Sequence, residues 1–301
     1  MCMKRALLNA MVVGVGLVAV SAAGAEELAG TLKKINDSNV VVVGYRESNV
    51  PFSYQDDGKN VMGYSQEYSN KIVEAIKKKL NKPNLEVSFL PITSPNRIPL
   101  LNNKVYDFEC GSTTNNKERQ QQVDFSDSIF VAGTRLMAKK GSGINDFPDL
   151  QGKAVVTSSG STSEILLNQL NSNKNMKMRI ISAKEGGTSS FQTLESGRAA
   201  AFMMDDALLA GDRAKARHPD QWVIVGTAQS HEAYGCMMRK NDPQFAALVN
   251  DTVAGAQTSG EAAGWYKKWF MQPIPPKGLN MNFEMSTEMK DLFAHPNNHA
   301  L

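Results

Sequence analysis

Hydroxyl side chains and a guanidinium are concentrated in one stretch of the sequence, residues 107 to 127. The pattern predicts a short strand that ends at Cys110, then a turn, then a polar helix that begins near Asn115 or Asn116 and carries Arg119. Backbone N–H groups at a helix start, hydroxyl donors and a guanidinium can all bind one small anion. We therefore predict a carboxylate site here, and the alternative is a set of ordinary helix caps. The hydroxyl residues are Ser112, Thr113 and Thr114.

Further polar side chains follow the strands that are predicted in the first half of the chain. Apolar β-branched residues at 40 to 43 and alternating apolar residues at 85 to 89 are typical of strands, and a helical apolar period at 64 to 80 separates them. This alternation indicates a parallel α/β sheet, in which ligands bind beyond the carboxyl ends of the strands. The side chains expected there are Arg46, Ser94, Arg97, Ser112, Thr114 and Arg119.

A second α/β unit is predicted from strands at 154 to 157, 178 to 181 and 199 to 203. Extended segments at 128 to 140 and 231 to 239 would connect the two units. The sequence therefore predicts two α/β lobes joined by two crossing segments that act as a hinge, with a ligand in the cleft between them. The predicted parts are a signal peptide at 1–25, the first lobe at 26–134, the second lobe at 135–230, and a return to the first lobe with a C-terminal tail at 231–301.

The first 25 residues have the three-part pattern of a cleavable secretory signal. Lys4 and Arg5 precede an apolar stretch, and the segment ends in Ala23-Gly24-Ala25. The apolar stretch is shorter than the roughly 20 residues that a membrane anchor needs. We therefore expect a periplasmic protein. The formal charge of +3 falls to +1 when Lys4 and Arg5 are removed with the signal segment, and a balance this close to neutral argues against nucleic acid or an anionic membrane as a partner.

Two cysteines, Cys110 and Cys236, remain once the signal segment with Cys2 is removed. In an exported chain they can form one disulfide, and two buried thiols are the alternative. No spacing of cysteine and histidine is typical of a metal site, and none of the four histidines lies in a sequence context typical of a catalytic base. A cysteine or serine hydrolase is therefore disfavoured.

A receptor for phosphate or sulfate is the rival binding function. The turn at 158 to 163 reads Ser-Ser-Gly-Ser-Thr-Ser and could hold an oxyanion at a helix start. Asp205, at the predicted start of a later helix, argues against this function because a carboxylate repels an oxyanion and attracts an amine. The chain also has no Walker-type lysine that would make the turn a nucleotide site.

Ten stretches spread along the chain form a recognisable set, among them Asp107-Phe-Glu-Cys-Gly-Ser-Thr-Thr114 and Phe202-Met-Met-Asp-Asp206. The others are residues 44–48, 50–54, 63–64, 96–100, 118–119, 125–127, 193–198 and 234–236. Together they closely resemble the periplasmic glutamate/aspartate-binding proteins of polar amino acid ABC transporters, in solute-binding protein family 3. The resemblance covers essentially the whole chain after the signal segment and implies a type II periplasmic-binding-protein fold.

The resemblance also implies how an α-amino acid would be held. In that family the α-carboxylate meets an arginine five residues after a threonine, here Arg119 and Thr114. The second lobe contributes a helix start, here at Thr162, and an acid for the α-ammonium, here Asp205 with Asp206 as the alternative. Physical chemistry agrees, because a dehydrated ammonium needs an anion and a dehydrated carboxylate needs a fork of donors.

Two more arginines, Arg46 and Arg97, exceed what an α-amino acid requires. In the family the corresponding arginines, with Ser94 and Ser112, reach the side-chain carboxylate; the alternative for each is an exposed surface arginine. The implied ligands are L-glutamate and L-aspartate, delivered to an inner-membrane ABC permease by a monomeric receptor without cofactor, metal or covalent chemistry. The alternatives are a receptor for another amino acid or a small oxyanion, and a two-lobed periplasmic enzyme such as a dehydratase.

The chain departs from the family in one loop. Members carry a histidine near the ligand's side chain after the strand at 178 to 181, whereas this chain has Glu185-Gly186-Gly187-Thr188 there. The contact from the second lobe to the distal carboxylate therefore stays open, and with it the preference between glutamate and aspartate. Without that histidine we expect ligand binding to be insensitive to mild changes of pH.

Overall fold

The computed structural model describes residues 27–184 and 188–300. The predicted signal peptide and the loop at Gly186 lie outside these ranges. Within them, none of the helices is both long enough and apolar enough to cross a membrane.

The first part of the chain alternates strands and helices, as predicted. Consecutive valines bury alternate side chains in the strand Val40–Tyr45, and an i, i+4 spacing from Tyr64 to Ile76 buries one face of the helix Tyr64–Leu80. The elements are α1 (Gly30–Ser38), β1 (Val40–Tyr45), β2 (Ser48–Asn49), β3 (Ser53–Gln55), β4 (Val61–Met62), α2 (Tyr64–Leu80), β5 (Glu86–Pro91), α3 (Arg97–Asn102), β6 (Phe108–Glu109) and β7 (Asp124–Lys139).

The second α/β unit and the return to the first follow the predicted order. The second unit contains β8 (Ala154–Ser158), α4 (Thr162–Asn173), β9 (Arg179–Ala183), α5 (Thr188–Glu195), β10 (Ala201–Asp205), α6 (Asp206–Lys215) and β11 (Trp222–Val225). The return contains β12 (His231–Met238), α7 (Pro243–Thr258), α8 (Glu261–Phe270) and α9 (Thr287–Ala294).

One strand path runs through both lobes in the order β5-β1-β6-β12-β7-β10-β8-β9, and β11 pairs with β7 beside it. In the first lobe β1 is parallel to β5 and β6, and in the second β8 is parallel to β9 and β10. The carboxyl ends of both parallel sets lead into the loops where ligands bind in open α/β sheets.

The two crossing segments are the antiparallel strands β7 and β12. Strand β7 pairs with β12 as far as Gly133, and from Thr134 onward it pairs with β10 of the second lobe. The sequence prediction of two extended crossings is therefore confirmed. The exact lobe limits at 134/135 and 230/231 stay predictions.

The prediction of a polar helix that begins at Asn115 or Asn116 is wrong. Only a 3₁₀ helix forms there, Arg119–Gln121. The backbone before it is used by β12, since Gly235 N donates to Thr113 O at 3.1 Å and Asn115 N donates to Ala233 O at 2.7 Å. An extended backbone paired with a strand cannot offer the free N–H groups of a helix start.

The segment between β1 and α2 contains a small antiparallel sheet that the sequence analysis did not predict. Its strand order is β2-β3-β4. Its strands are two to three residues long, which is too short for an alternating pattern to be visible in the sequence.

An aromatic cluster forms the core of the first lobe where the C-terminal part returns to it. Phe52, Tyr64, Phe130, Tyr266 and Phe270 are all buried, and the rings of Phe52 and Phe130 meet edge to face with centroids 4.8 Å apart. Tyr266 and Phe270, which follow β12 in the chain, thus pack against Phe130 on β7 and against aromatic residues that precede β7.

Cys110 and Cys236 form a disulfide, with 2.09 Å between the sulfur atoms. The bond joins the segment after β6 to β12, and both cysteines are buried. The predicted disulfide is therefore confirmed. It ties the stretch at 107 to 127 to the return crossing.

Removing this disulfide should destabilise the protein. Replacing both cysteines with alanine reopens a loop of 126 residues in the unfolded chain, for which chain entropy predicts a loss of about 3 to 5 kcal/mol in the free energy of unfolding. Urea unfolding of the C110A/C236A variant measures the loss. Wild-type protein unfolded with a reductant is the control and should match the variant; an unchanged midpoint in both would contradict the prediction.

Candidate functional site

The two lobes approach each other closely at two glycines. A Cβ atom at Gly211 of α6 would lie 2.0 Å from the carbonyl oxygen of Val50 in the first lobe. Gly160, with φ of +72°, brings its backbone against Pro95, where a Cβ atom would lie 3.0 Å from the proline nitrogen. Since a side chain at either position would collide, glycine permits this closed arrangement.

Glu232, on β12, bonds to both lobes at once. Its Oε2 accepts a hydrogen bond from Thr114 Oγ1 at 2.7 Å and another from Thr162 Oγ1 at 2.9 Å. Thr114 follows β6 in the first lobe, and Thr162 is the first residue of α4 in the second. Two of the predicted site residues from different lobes are thus brought together by a carboxylate that the sequence analysis did not select.

Asp205 lies at the end of β10 beside the same crossing strands and is 2% exposed. Its carboxylate accepts hydrogen bonds from Thr134 Oγ1 at 3.1 Å, from Ser163 Oγ at 3.4 Å and from the hydroxyl of Tyr234. Burial, followed by the negative charge of Glu232, raises the pKa of Asp205 to about 7, against the lowering effect of the hydroxyl donors. A cation beside Asp205 would favour its ionised form.

Arg119 faces these two carboxylates from the first lobe. Its Nη1 donates to Thr114 O at 2.9 Å, which fixes the guanidinium against the backbone of the central stretch. Burial lowers the pKa of Arg119, while the charges of Glu232 and Asp205 raise it. The structure therefore groups Thr114, Arg119 and Asp205 with Thr162, as the predicted α-amino and α-carboxylate contacts require.

A second group of charges surrounds Glu109, which is buried on β6. Arg97 Nη1 donates to Thr113 Oγ1 at 2.9 Å, and the Thr113 hydroxyl donates to Glu109 Oε1. Burial raises the pKa of Glu109, and the charges of Arg97, Arg46 and then Arg119 oppose this shift. Arg46 and Arg97 are each only 2% exposed, so the alternative of surface arginines is wrong for both.

The remaining predicted residues occupy loops next to these groups. Ser112 is buried and accepts a hydrogen bond from Asn49 Nδ2 at 2.9 Å. Ser94 is half-buried in the turn before α3. Asp206 accepts hydrogen bonds from the backbone nitrogens of Gly133 at 3.2 Å and Ala207 at 2.8 Å, an arrangement that serves the hinge strand and the start of α6.

Four residues of the site, Glu109, Thr134, Glu232 and Tyr234, were not predicted from the sequence. A signal for the two glutamates existed, because each is a charged residue next to apolar residues in a strand, and charged residues are rarely buried without a partner. Thr134 and Tyr234 carried no comparable signal, since threonine and tyrosine are common in strands. Their role depends on which strand lies beside Asp205.

The cleft thus combines buried cations with buried acids, which suits a small ligand that carries both signs of charge. No cluster of histidine, cysteine and carboxylate side chains suited to a metal ion occurs in the described ranges. The cations are Arg46, Arg97 and Arg119, and the acids are Glu109, Asp205 and Glu232.

The chain is similar in sequence to known solute-binding proteins. Residues 41–272 match the family of bacterial extracellular solute-binding proteins, family 3. The chain is 68% identical to the glutamate/aspartate import solute-binding protein of Salmonella typhimurium, over 92% of each chain. It is 55% identical to the L-glutamate/L-aspartate-binding protein of Pseudomonas aeruginosa, over 92% of this chain and 91% of the relative.

A solved structure supports the fold. An ancestral amino acid-binding protein, described as a precursor of cyclohexadienyl dehydratase, superposes with a TM-score of 0.68 at 28% identity, covering 80% of this chain and 99% of the other. The predicted two-lobed periplasmic-binding-protein fold of type II is therefore confirmed. With the family match extending from β1 to beyond α8, this chain belongs to the bacterial extracellular solute-binding proteins, family 3.

Proposed function

We propose that this protein captures L-glutamate and L-aspartate in its cleft and delivers them to an inner-membrane ABC permease. The main support for the proposal is the distribution of charge in the cleft. Arg119 and Asp205 belong to one group of charged side chains, and Arg46 and Arg97 belong to a second group around Glu109. An α-amino acid uses the first group, and a second carboxylate uses the second. The functions of the Salmonella and Pseudomonas relatives support the same ligands.

Each predicted residue then has a role. Arg119 binds the α-carboxylate together with the helix start at Thr162, and Asp205 binds the α-ammonium. Arg46 and Arg97 bind the distal carboxylate, supported by the hydroxyls of Ser94 and Ser112. Thr114 shares the α-amino acid end with Arg119.

Binding proceeds without covalent chemistry, cofactor or metal in this proposal. Its support is that the curated relatives matching most of the chain are solute-binding proteins and that the ancestral dehydratase precursor is itself described as an amino acid-binding protein. The receptor acts as a monomer in the periplasm after removal of residues 1–25. It closes about hinges at 134/135 and 230/231, near the point where β7 exchanges β12 for β10.

Calorimetric titration of the refolded, ligand-free protein tests the function. We expect tight binding of L-glutamate and L-aspartate, weak or no binding of L-glutamine, L-histidine and phosphate, and recovery of each ligand unchanged. Phosphate binding in place of the amino acids would favour the oxyanion receptor. Conversion of a ligand would favour an enzyme of the same fold.

Arginine variants separate the two ends of the ligand. R119A should weaken the binding of every amino acid by about 3 to 5 kcal/mol because it leaves the α-carboxylate buried without its partner. R46A and R97A should weaken the binding of glutamate and aspartate far more than the binding of glutamine and asparagine. R179A is the control, since Arg179 is exposed on β9 and its side chain donates to Arg198 O, away from the candidate site. Equal losses for acids and amides in R46A and R97A would contradict their role.

The structure also changes the expectation for pH. That binding would be insensitive to pH was predicted from histidine alone, whereas Asp205 has a pKa of about 7 in the ligand-free protein. An ammonium beside Asp205 lowers this pKa, so binding at pH 7 should release about half a proton. Affinity should then decline as the pH falls below 7, approaching about tenfold per pH unit.

Calorimetry in buffers of different ionisation enthalpy measures the proton release. The control is H231Q, which removes the exposed histidine that precedes Glu232 in the sequence. The pH dependence should persist in that variant. Constant affinity from pH 8 to 5.5 would show that no cation is bound at Asp205.

A further inference from the structure

Glu232 is a buried carboxylate to which neither the sequence prediction nor the proposed ligand contacts give a role. Besides the bonds from Thr114 and Thr162, its Oε1 accepts a hydrogen bond from Ser230 Oγ at 2.5 Å, and Thr134 Oγ1, whose single hydrogen also faces Asp205, lies 3.4 Å from Oε1. Its exposed fraction is 4%. All four groups are hydroxyls: Thr114 lies in the first lobe, Thr162 in the second, Thr134 on β7, and Ser230 directly before β12.

The hydrogen atoms of the two cleft threonines decide what these residues can offer a ligand. A threonine hydroxyl has one hydrogen to donate and two lone pairs to accept with. Thr114 and Thr162 each donate that hydrogen to Glu232 Oε2. Their hydroxyl oxygens are thereby left as acceptors, which suits the N–H groups of an ammonium and not the oxygens of a carboxylate.

The negative charge around the threonines also favours an ammonium over a carboxylate. Thr134 contacts both Asp205 Oδ1 and Glu232 Oε1, so the two carboxylates share one hydroxyl. None of the ion pairs within 4.0 Å that the described residues form includes either acid. Two buried carboxylates this close favour a cation between the lobes and repel a ligand that brings only negative charge.

We propose that Glu232 is a specificity-determining residue that makes the cleft require an amine: it holds the Thr114 and Thr162 hydroxyls as acceptors and, with Asp205, excludes dicarboxylates that lack an ammonium group. This inference rests on the proposed function, since it concerns the α-amino end of the same ligand. The contrasting role is purely structural, in which Glu232 only ties the lobes to the hinge.

The test compares two ligands that differ only in the amine. L-glutamate and glutarate have the same carbon chain and both carboxylates, and glutarate lacks the amine. Wild-type protein should prefer glutamate by at least about 10³-fold, because glutarate leaves the acceptors and Asp205 without a partner. In E232Q, the negative charge is removed, and the neutral amide is a weaker acceptor for the threonine hydrogens than the carboxylate. The preference should shrink about 10- to 100-fold, through weaker glutamate binding and unchanged or tighter glutarate binding.

E164Q is the matched control. Glu164 lies in the first turn of the same helix as Thr162, but its carboxylate accepts from Gly160 N at 2.7 Å and from the Ser182 hydroxyl, so it does not bond to the cleft threonines. The substitution removes the same charge close to the cleft. It should leave the ratio of glutamate to glutarate affinity as in the wild type.

T162V provides a second test that does not depend on whether E232Q folds. Valine keeps the shape and removes the hydroxyl. If the hydroxyl accepts a hydrogen bond from the ammonium, T162V lowers the affinity for glutamate and leaves the affinity for glutarate unchanged. If the hydroxyl donates to a ligand carboxylate, T162V lowers both affinities equally, and the inference is overturned.

The outcomes separate this inference from the function it rests on. A wild-type protein that binds no amino acid overturns the proposed function and the inference together. A wild-type protein that binds glutamate, with the same glutamate-to-glutarate ratio in E232Q as in wild type, overturns the inference alone and assigns Glu232 a structural role. A smaller ratio of glutamate to glutarate affinity in E232Q, together with the wild-type ratio in E164Q, supports the inference.

Discussion

Burial of ionised side chains in the cleft is the constraint on which the rest of the structure depends. An isolated charge removed from water loses several kcal/mol of solvation, and only an opposite charge or a set of hydrogen bonds offsets this loss. The first lobe offsets it locally, since Glu109 lies among arginines. Asp205 and Glu232 are instead held by hydroxyl donors, and these stabilise a carboxylate less than a cation does.

The fold places these charges through its two crossing strands. Thr134 lies on β7, Glu232 and Tyr234 lie on β12, and Asp205 ends the neighbouring strand β10. Because β7 pairs with both β12 and β10, residues far apart in sequence are set side by side at the junction of the lobes. The disulfide from Cys110 to Cys236 joins the segment that carries Thr114 and Arg119 to the same junction.

The close approach of the lobes includes one further contact at this junction. Thr162 of the second lobe donates to Glu232 on β12, and the approaches of Gly160 to Pro95 and of Gly211 to Val50 show how little space separates the two lobes. A ligand that satisfies Asp205 and the arginines would therefore stabilise the closed form over an open one, since its charges contact both lobes only there.

The sequence by itself determined the lobes, the crossing segments and most of the charged residues of the cleft, because apolar periodicity and strand-end positions are local properties. Arg46, Arg97, Arg119 and Asp205 could be selected in this way, and the resemblance to a known family added their roles. Glu109 could have been found as a charged residue in a buried strand.

Only the tertiary structure decided which groups meet at the junction. The free helix start near Asn115 does not exist because β12 uses that backbone, and this pairing joins residues separated by more than a hundred positions. Glu232 lies between Thr114 and Thr162 for the same reason: its partners come from different lobes. Hydrogen bonds and charge interactions depend on distance in space, and strand order and lobe closure set those distances.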